Sequence, residues 1–185
     1  MIDHLVIDRA LEARALERIR GEMTVAQGDP ATVLGLARQR RVASSARKAT
    51  QVAVSESART VVEGLLERLE LRIESHFGRP LDGFEEPQFL RYEPSDYFVA
   101  HQDGNTPLVH DDSRFRKVSV VIFLSAPETF SGGSLMLHSP FGHAEPPQSL
   151  AAAPGTLVAF PSETTHEVLP ITDGERLSVV SWYRG

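Results

Sequence analysis

Arg91-Tyr-Glu-Pro-Ser-Asp-Tyr-Phe-Val-Ala-His-Gln-Asp-Gly104 is the stretch whose reading decides the fold. Gln88–Tyr92 and Tyr97–His101 are short runs rich in β-forming residues, with a Glu-Pro-Ser-Asp turn between them. Further runs follow toward the C-terminus: Val118–Ser125, Ser134–His138, Thr156–Phe160, His166–Ile171 and Leu177–Tyr183. Seven or eight short strands at such spacing predict a sandwich or barrel. Upstream the pattern is helical. Leu11, Ala15, Ile19 and Met23 repeat at helical spacing, with Asp8 placed to cap that helix. A second helix is predicted from about Ser55 to Phe77, striped by Val62, Leu65, Leu69, Ile73 and Phe77 and stopped by Gly78 and Pro80. His4–Ile7 and Lys48–Val54 read as additional strands. The expected fold is therefore mainly β with flanking α-helices: a double-stranded β-helix, or jelly roll, with N-terminal helices packed on the sheet. One domain is expected over residues 1–185, with 1–85 as a helical support segment and 86–185 as the jelly-roll core.

The second run ends in His101-Gln-Asp103. Side chains two apart on a strand point to one face, so this imidazole and carboxylate can chelate a single ion. His166, at the start of a later run, supplies the third ligand. Two histidines and one carboxylate form the facial set of non-haem Fe(II) sites, which leaves metal positions open. Arg176, ten residues beyond His166, is placed to pair with the far carboxylate of a dicarboxylate cosubstrate. His110-Asp111-Asp112 repeats the His-x-Asp spacing, but it lies in the polar loop Gly104–Arg116, with no β run to hold the side chains in register. That loop is a candidate lid.

With 185 residues the chain is long enough for one sizeable core. Its formal net charge of −6 argues against broad nucleic-acid binding. The absence of cysteine excludes disulfides and thiolate metal sites. No apolar run has membrane-spanning length, and the N-terminus is not patterned as a signal peptide. A cytoplasmic location is expected, with no membrane partner. Arg38, Arg40, Arg41, Arg47 and Lys48 fall in a stretch without an acid. It reads either as a solvated basic loop or as a surface that attracts an acidic substrate.

Residues 91–104 (RYEPSDYFVAHQDG), 130–139 (FSGGSLMLHS) and 153–185 (APGTLVAFPSETTHEVLPITDGERLSVVSWYRG) resemble, in order, the signatures of the prolyl 4-hydroxylase-like branch of the 2-oxoglutarate/Fe(II)-dependent dioxygenases. The resemblance covers about residues 85–185. It implies Fe(II) held by His101, Asp103 and His166, 2-oxoglutarate as cosubstrate and O2 as oxidant, with ascorbate as a candidate auxiliary reductant. It implies that Arg176 receives the remote carboxylate of 2-oxoglutarate, helped by Tyr92 and Ser178, and that Trp182 lies either near the metal or in the core. The implied reaction hydroxylates an unactivated C–H of an amino acid, small metabolite or peptidyl residue, with decarboxylation of 2-oxoglutarate to succinate and CO2. Asp103 points to hydroxylation, because related halogenases carry a small residue there. Ser95 stands where the branch usually has glycine and would be strained if that position needs positive φ. The alternatives are a prolyl hydroxylase acting on a protein, or a metal-binding jelly roll without turnover. The Asp103 ligand and Arg176 disfavour a cupin-type isomerase, thiol dioxygenase or zinc hydrolase.

Overall fold

The structure is a computed structural model that describes residues 2–34, 40–41, 45–104, 112–140 and 145–185. Two antiparallel sheets lie face to face. The larger has the order Leu5–Ile7, Leu157–Pro161, Arg116–Phe123, Arg176–Arg184, Gln88–Tyr92, Thr50–Val52, Gly28–Pro30. The smaller has the order Gln148–Leu150, Leu135–Leu137, His166–Val168, Tyr97–His101, Arg47–Lys48. This is the expected jelly roll backed by helices.

Alternation along the large-sheet strands explains both cores. Phe89, Val120, Ile122, Leu177, Val179 and Tyr183 face the helices and pack with Ile19, Met23, Val62 and Leu66. Leu90, Tyr92, Val121, Phe123 and Phe160 face the other way and pack with Leu135, Leu137 and Val168 of the smaller sheet. A strand carries side chains to opposite faces in turn, so each central strand serves both layers.

The second helix, α2, spans Glu56–Phe77 as its stripe predicts. The Ser55 hydroxyl accepts the Ala58 N–H at 3.2 Å, and Gly78 ends the helix at φ 61°. The first helix, α1, departs from expectation: it spans Ala13–Val25, and no side chain caps it. Asp8 instead lies 3.5 Å from the Thr156 hydroxyl. Leu11 is buried and donates its N–H to Gly155 at 3.0 Å, which keeps the chain tied to the sheet until the helix can start. The C-terminus of α1 is held by Arg91, which donates to the carbonyls of Met23 and Ala26 at 3.1 and 3.0 Å.

The first half is less purely helical than expected, for it supplies strands to both sheets. The predicted strand Lys48–Val54 is divided. Arg47–Lys48 pairs with Tyr97 and Phe98 in the smaller sheet, and Thr50–Val52 pairs with Leu90 and Arg91 in the larger. Ala49 is the buried crossing point. The run His166–Ile171 also divides: Ile171–Gly174 leaves the sheet to pair with Phe130–Gly132.

A candidate metal centre beside a buried arginine

His101 is the last residue of its strand and faces His166 directly across the ladder. The register shifts between His166 and Val168, so Val168 pairs with Phe98 while His166 pairs with His101. This irregularity puts Phe98 and His101 on one face despite their odd spacing. Their rings stack with centroids 3.6 Å apart and planes inclined by 20°. Asp103 lies just beyond the strand, where its N–H and that of Gly104 both donate to the Ser162 carbonyl at 2.9 and 3.2 Å. Gly104 is required there, since a Cβ would come within 2.0 Å of the Ser113 carbonyl oxygen.

Among the described residues, the only His/Asp/Glu group placed to share a metal ion is His101, Asp103 and His166, with one ligand atom from each inside 4.8 Å. His101 Nε2 lies 3.5 Å from Asp103 Oδ1, and His166 Nε2 lies 3.4 Å from Asp103 Oδ2. His101 Nε2 is buried and makes no hydrogen bond. Both Nδ1 atoms are engaged by backbone carbonyls, Val99 at 2.8 Å and Thr164 at 2.9 Å. Donation from each Nδ1–H leaves each Nε2 lone pair facing the cluster, which is how a histidine ligand is oriented. Burial alone would raise the Asp103 carboxyl. The electrostatic pull of the neighbouring His166, His101 and Arg116 outweighs it and holds Asp103 well below the usual carboxylate range. Burial pushes His166 down to about 4, against the pull of Asp103. An ionised carboxylate beside an orphaned imidazole nitrogen, at separations that suit bonds of about 2.1 Å, fits a divalent ion.

The same cavity runs on to Arg176. It has about 470 Å³ of empty space including its open mouth. Arg176 is only 2% exposed. Its guanidinium lies between aromatic rings, 5.4 Å from the Tyr92 centroid and 5.3 Å from that of Phe123. Nη1 donates to the Ser178 hydroxyl at 3.2 Å, while Nε is buried without a partner. Burial lowers its pKa, and Tyr92 opposes that only in part. A buried guanidinium in that condition is built to receive an anion. Gly133 leaves room for it, at φ 62°, where a Cβ would lie 3.2 Å from Arg176 Cδ and 2.2 Å from Ile171 Cδ1.

His101, Asp103, His166, Arg176, Tyr92 and Ser178 thus line one cavity, and Trp182 joins them there. Ser95 does adopt positive φ, at 72°. Sequence reasoning passed over Ser119, whose hydroxyl donates to Asp103 Oδ2 at 2.7 Å, and Ser162, whose hydroxyl lies 3.0 Å from that of Ser119. It also passed over Arg116, which pairs with Glu85 at 2.6 and 2.7 Å and lies 3.8 Å over the Trp182 ring. The signal was present for Ser119, the one polar residue on the inward face of Val118–Phe123. His110, Asp111, Arg38 and residues 105–111 of the expected lid lie outside the described residues.

A PKHD-type hydroxylase of Shewanella sp. (strain MR-7) is 35% identical over 99 residues, which are 54% of this chain and 42% of the relative. The matched segment thus spans less than half of that relative's length. The solved structure of a Pseudomonas putida prolyl-4-hydroxylase has a TM-score of 0.73 at 24% identity, covering 98% of this chain and 91% of its own. A Trichoplax adhaerens prolyl hydroxylase, solved with a hypoxia inducible factor oxygen degradation domain peptide fragment, has a TM-score of 0.74 at 15% identity, covering 98% and 83%. At such identities the structural likeness concerns the fold alone. The sequence pattern of the 2OG-Fe(II) oxygenase superfamily matches residues 87–184, and the chain belongs to that superfamily.

Proposed function

We propose that this chain is a 2-oxoglutarate- and Fe(II)-dependent dioxygenase that hydroxylates an unactivated C–H of an amino acid, small metabolite or peptidyl residue. The observation that carries the reading is the pairing, in one cavity, of the His101–Asp103–His166 cluster with the buried, anion-seeking Arg176. His101, Asp103 and His166 would hold Fe(II). Fe(II), when bound, supplies the activation of O2 that is coupled to decarboxylation of 2-oxoglutarate to succinate and CO2, one oxygen atom entering each organic product. The chain supplies geometry. The Val99 and Thr164 carbonyls fix the imidazole tautomers. Arg176, with Tyr92 and Ser178, receives the far carboxylate of 2-oxoglutarate and so orients the keto acid before oxygen arrives. Leu135, Val121 and Val168 line the cavity and exclude water. No side chain is needed as an acid or base at the substrate carbon.

Residues 1–185 act as a single domain in this reading, and the protein works in the cytoplasm. Among the described residues no helix is long and apolar enough to cross a membrane. A prolyl hydroxylase acting on a protein substrate is the second reading, favoured by the peptide bound to the Trichoplax adhaerens enzyme. The test is anaerobic reconstitution with Fe(II), addition of 2-oxoglutarate and air, and quantification of succinate with and without ascorbate. Fe(II)-dependent succinate is expected. Bound iron without succinate under any condition would leave a metal-binding module without turnover.

A further inference from the structure

We propose that Arg47 is the binding residue for a carboxylate on the primary substrate, so that the enzyme acts on acids whose reacting C–H lies close to that carboxylate. The inference rests on the dioxygenase reading above and deepens it. Arg47 comes from the basic stretch but is not solvated: it is 6% exposed and lines the same cavity as His101, His166 and Arg176. Its strand pairs Arg47 with Phe98. The guanidinium carbon lies 4.8 Å from the Phe98 ring centroid, and the Phe98 ring is stacked on His101. Arg47 is thus one side chain removed from a metal ligand, on the sheet opposite the one that carries Arg176.

Among the described residues the charge of Arg47 is left over. Nη1 donates to the Thr32 carbonyl at 3.2 Å, and Nε is buried without a partner. Among the described residues no carboxylate pairs with it. Neighbouring cations are already engaged: Lys48 lies 3.1 Å from Asp96, and Arg116 makes a bidentate pair with Glu85. The face of Phe98 compensates a buried cation only in part. A charge held out of water needs an opposite charge, and a planar fork selects a planar carboxylate. Among the described residues the cavity therefore contains two guanidinium groups that no acid pairs. The cosubstrate has one remote carboxylate, which Arg176 takes, and the second guanidinium remains for the substrate. The chain as a whole is acidic, at −6, so this positive pocket is not a by-product of a basic protein.

A carboxylate can come from a free acid or from an acidic side chain of a peptide, and the test separates the two. The full chain, reconstituted with Fe(II), is assayed for stimulated succinate formation with free L-amino acids, with their carboxamides, and with N-acetylated, C-terminally amidated peptides that contain or lack Asp and Glu. Acids of one arm should stimulate at least tenfold more than their neutral counterparts. Arg47→Gln should raise KM for the stimulating acid at least tenfold and move KM for 2-oxoglutarate less than twofold. Anaerobic calorimetry of that acid on the Mn(II)- and 2-oxoglutarate-loaded protein should weaken to the same extent. Equal stimulation by neutral members, an unchanged KM for the acid, or stimulation by no acid would overturn the proposal. The contrast between acid and carboxamide on the unaltered chain decides the matter even if Arg47→Gln fails to fold. Loss of the unstimulated Fe(II)-dependent succinate signal would instead count against the dioxygenase reading itself.

Discussion

Ser119 shows how much of the candidate centre depends on residues that are not ligands. Its hydroxyl is buried and donates a hydrogen bond to Asp103 Oδ2, with Ser162 behind it. A carboxylate held by a donor has one orientation available, and the ligand set is then arranged before the metal arrives. Ser119→Ala should weaken Mn(II) binding by about 10–100-fold, the usual effect of removing such a partner. Ser119→Thr, which keeps the hydroxyl, should recover part of that. Calorimetric titration of the apoprotein measures both, and an unchanged affinity in Ser119→Ala would reduce the serine to packing. His101, Asp103, His166 and Arg176 were legible in the sequence because their residue types and spacing carry the chemistry. Ser119 was not, and Arg47 was legible only as one of five basic residues offered to an acidic substrate, because their particular roles depend on which strands they meet. A serine inside an apolar run and an arginine inside a basic run look ordinary until Trp182 is paired with Ser119 and Phe98 with Arg47.

At the scale of elements, the turn between Gln88–Tyr92 and Tyr97–His101 matters most, because it carries the chain from the larger sheet to the smaller one. Asp96 Oδ2 accepts the Glu93 N–H at 3.0 Å, and the Ser95 N–H donates to the Ile171 carbonyl at 2.8 Å. These bonds impose φ 72° on Ser95, a conformation that costs a residue with a Cβ about 1–2 kcal/mol. Ser95→Gly relieves that strain, less the greater freedom of glycine in the unfolded chain, about 0.4–1 kcal/mol. The hydrogen bond from Lys48 to Ser95 is exposed and contributes little. Ser95→Gly should therefore raise Tm by about 1–4 °C, and Ser95→Val should lower it, both by calorimetry. A lower Tm for Ser95→Gly would mean that the Lys48 contact outweighs the strain. The same scale explains the partial legibility of the fold. α2 was readable because its apolar period persists over six turns and both ends carry capping residues. Gly28–Pro30, Phe130–Gly132 and Gln148–Leu150 have too few residues to show a period. They are strands only because an edge beside them offers free N–H and C=O groups.

For the molecule as a whole, the helices and the larger sheet enclose a continuous apolar core, and the space between the sheets is given to a site. That division sets stability against function. Arg176 occupies a position where an apolar side chain would pack against Tyr92 and Phe123, and burial already depresses its pKa. Replacing even a buried ion pair with apolar residues of similar volume is often neutral or stabilising, by about 1–4 kcal/mol. Arg176→Met should accordingly raise the Tm of the apoprotein, by about 2–4 °C for each kcal/mol gained. The ligand response should move the other way. In the unaltered protein loaded with Mn(II), 2-oxoglutarate at about 100 times its Kd adds about 2.7 kcal/mol, a rise of about 5–10 °C. In Arg176→Met that increment should vanish, because the remote carboxylate would face a thioether. A variant with a lowered apo Tm and an intact 2-oxoglutarate shift would show that Arg176 supports the sheet and that the cosubstrate is held elsewhere. A stabilised variant deaf to 2-oxoglutarate would show that the buried charge is retained for the ligand, at the expense of the fold.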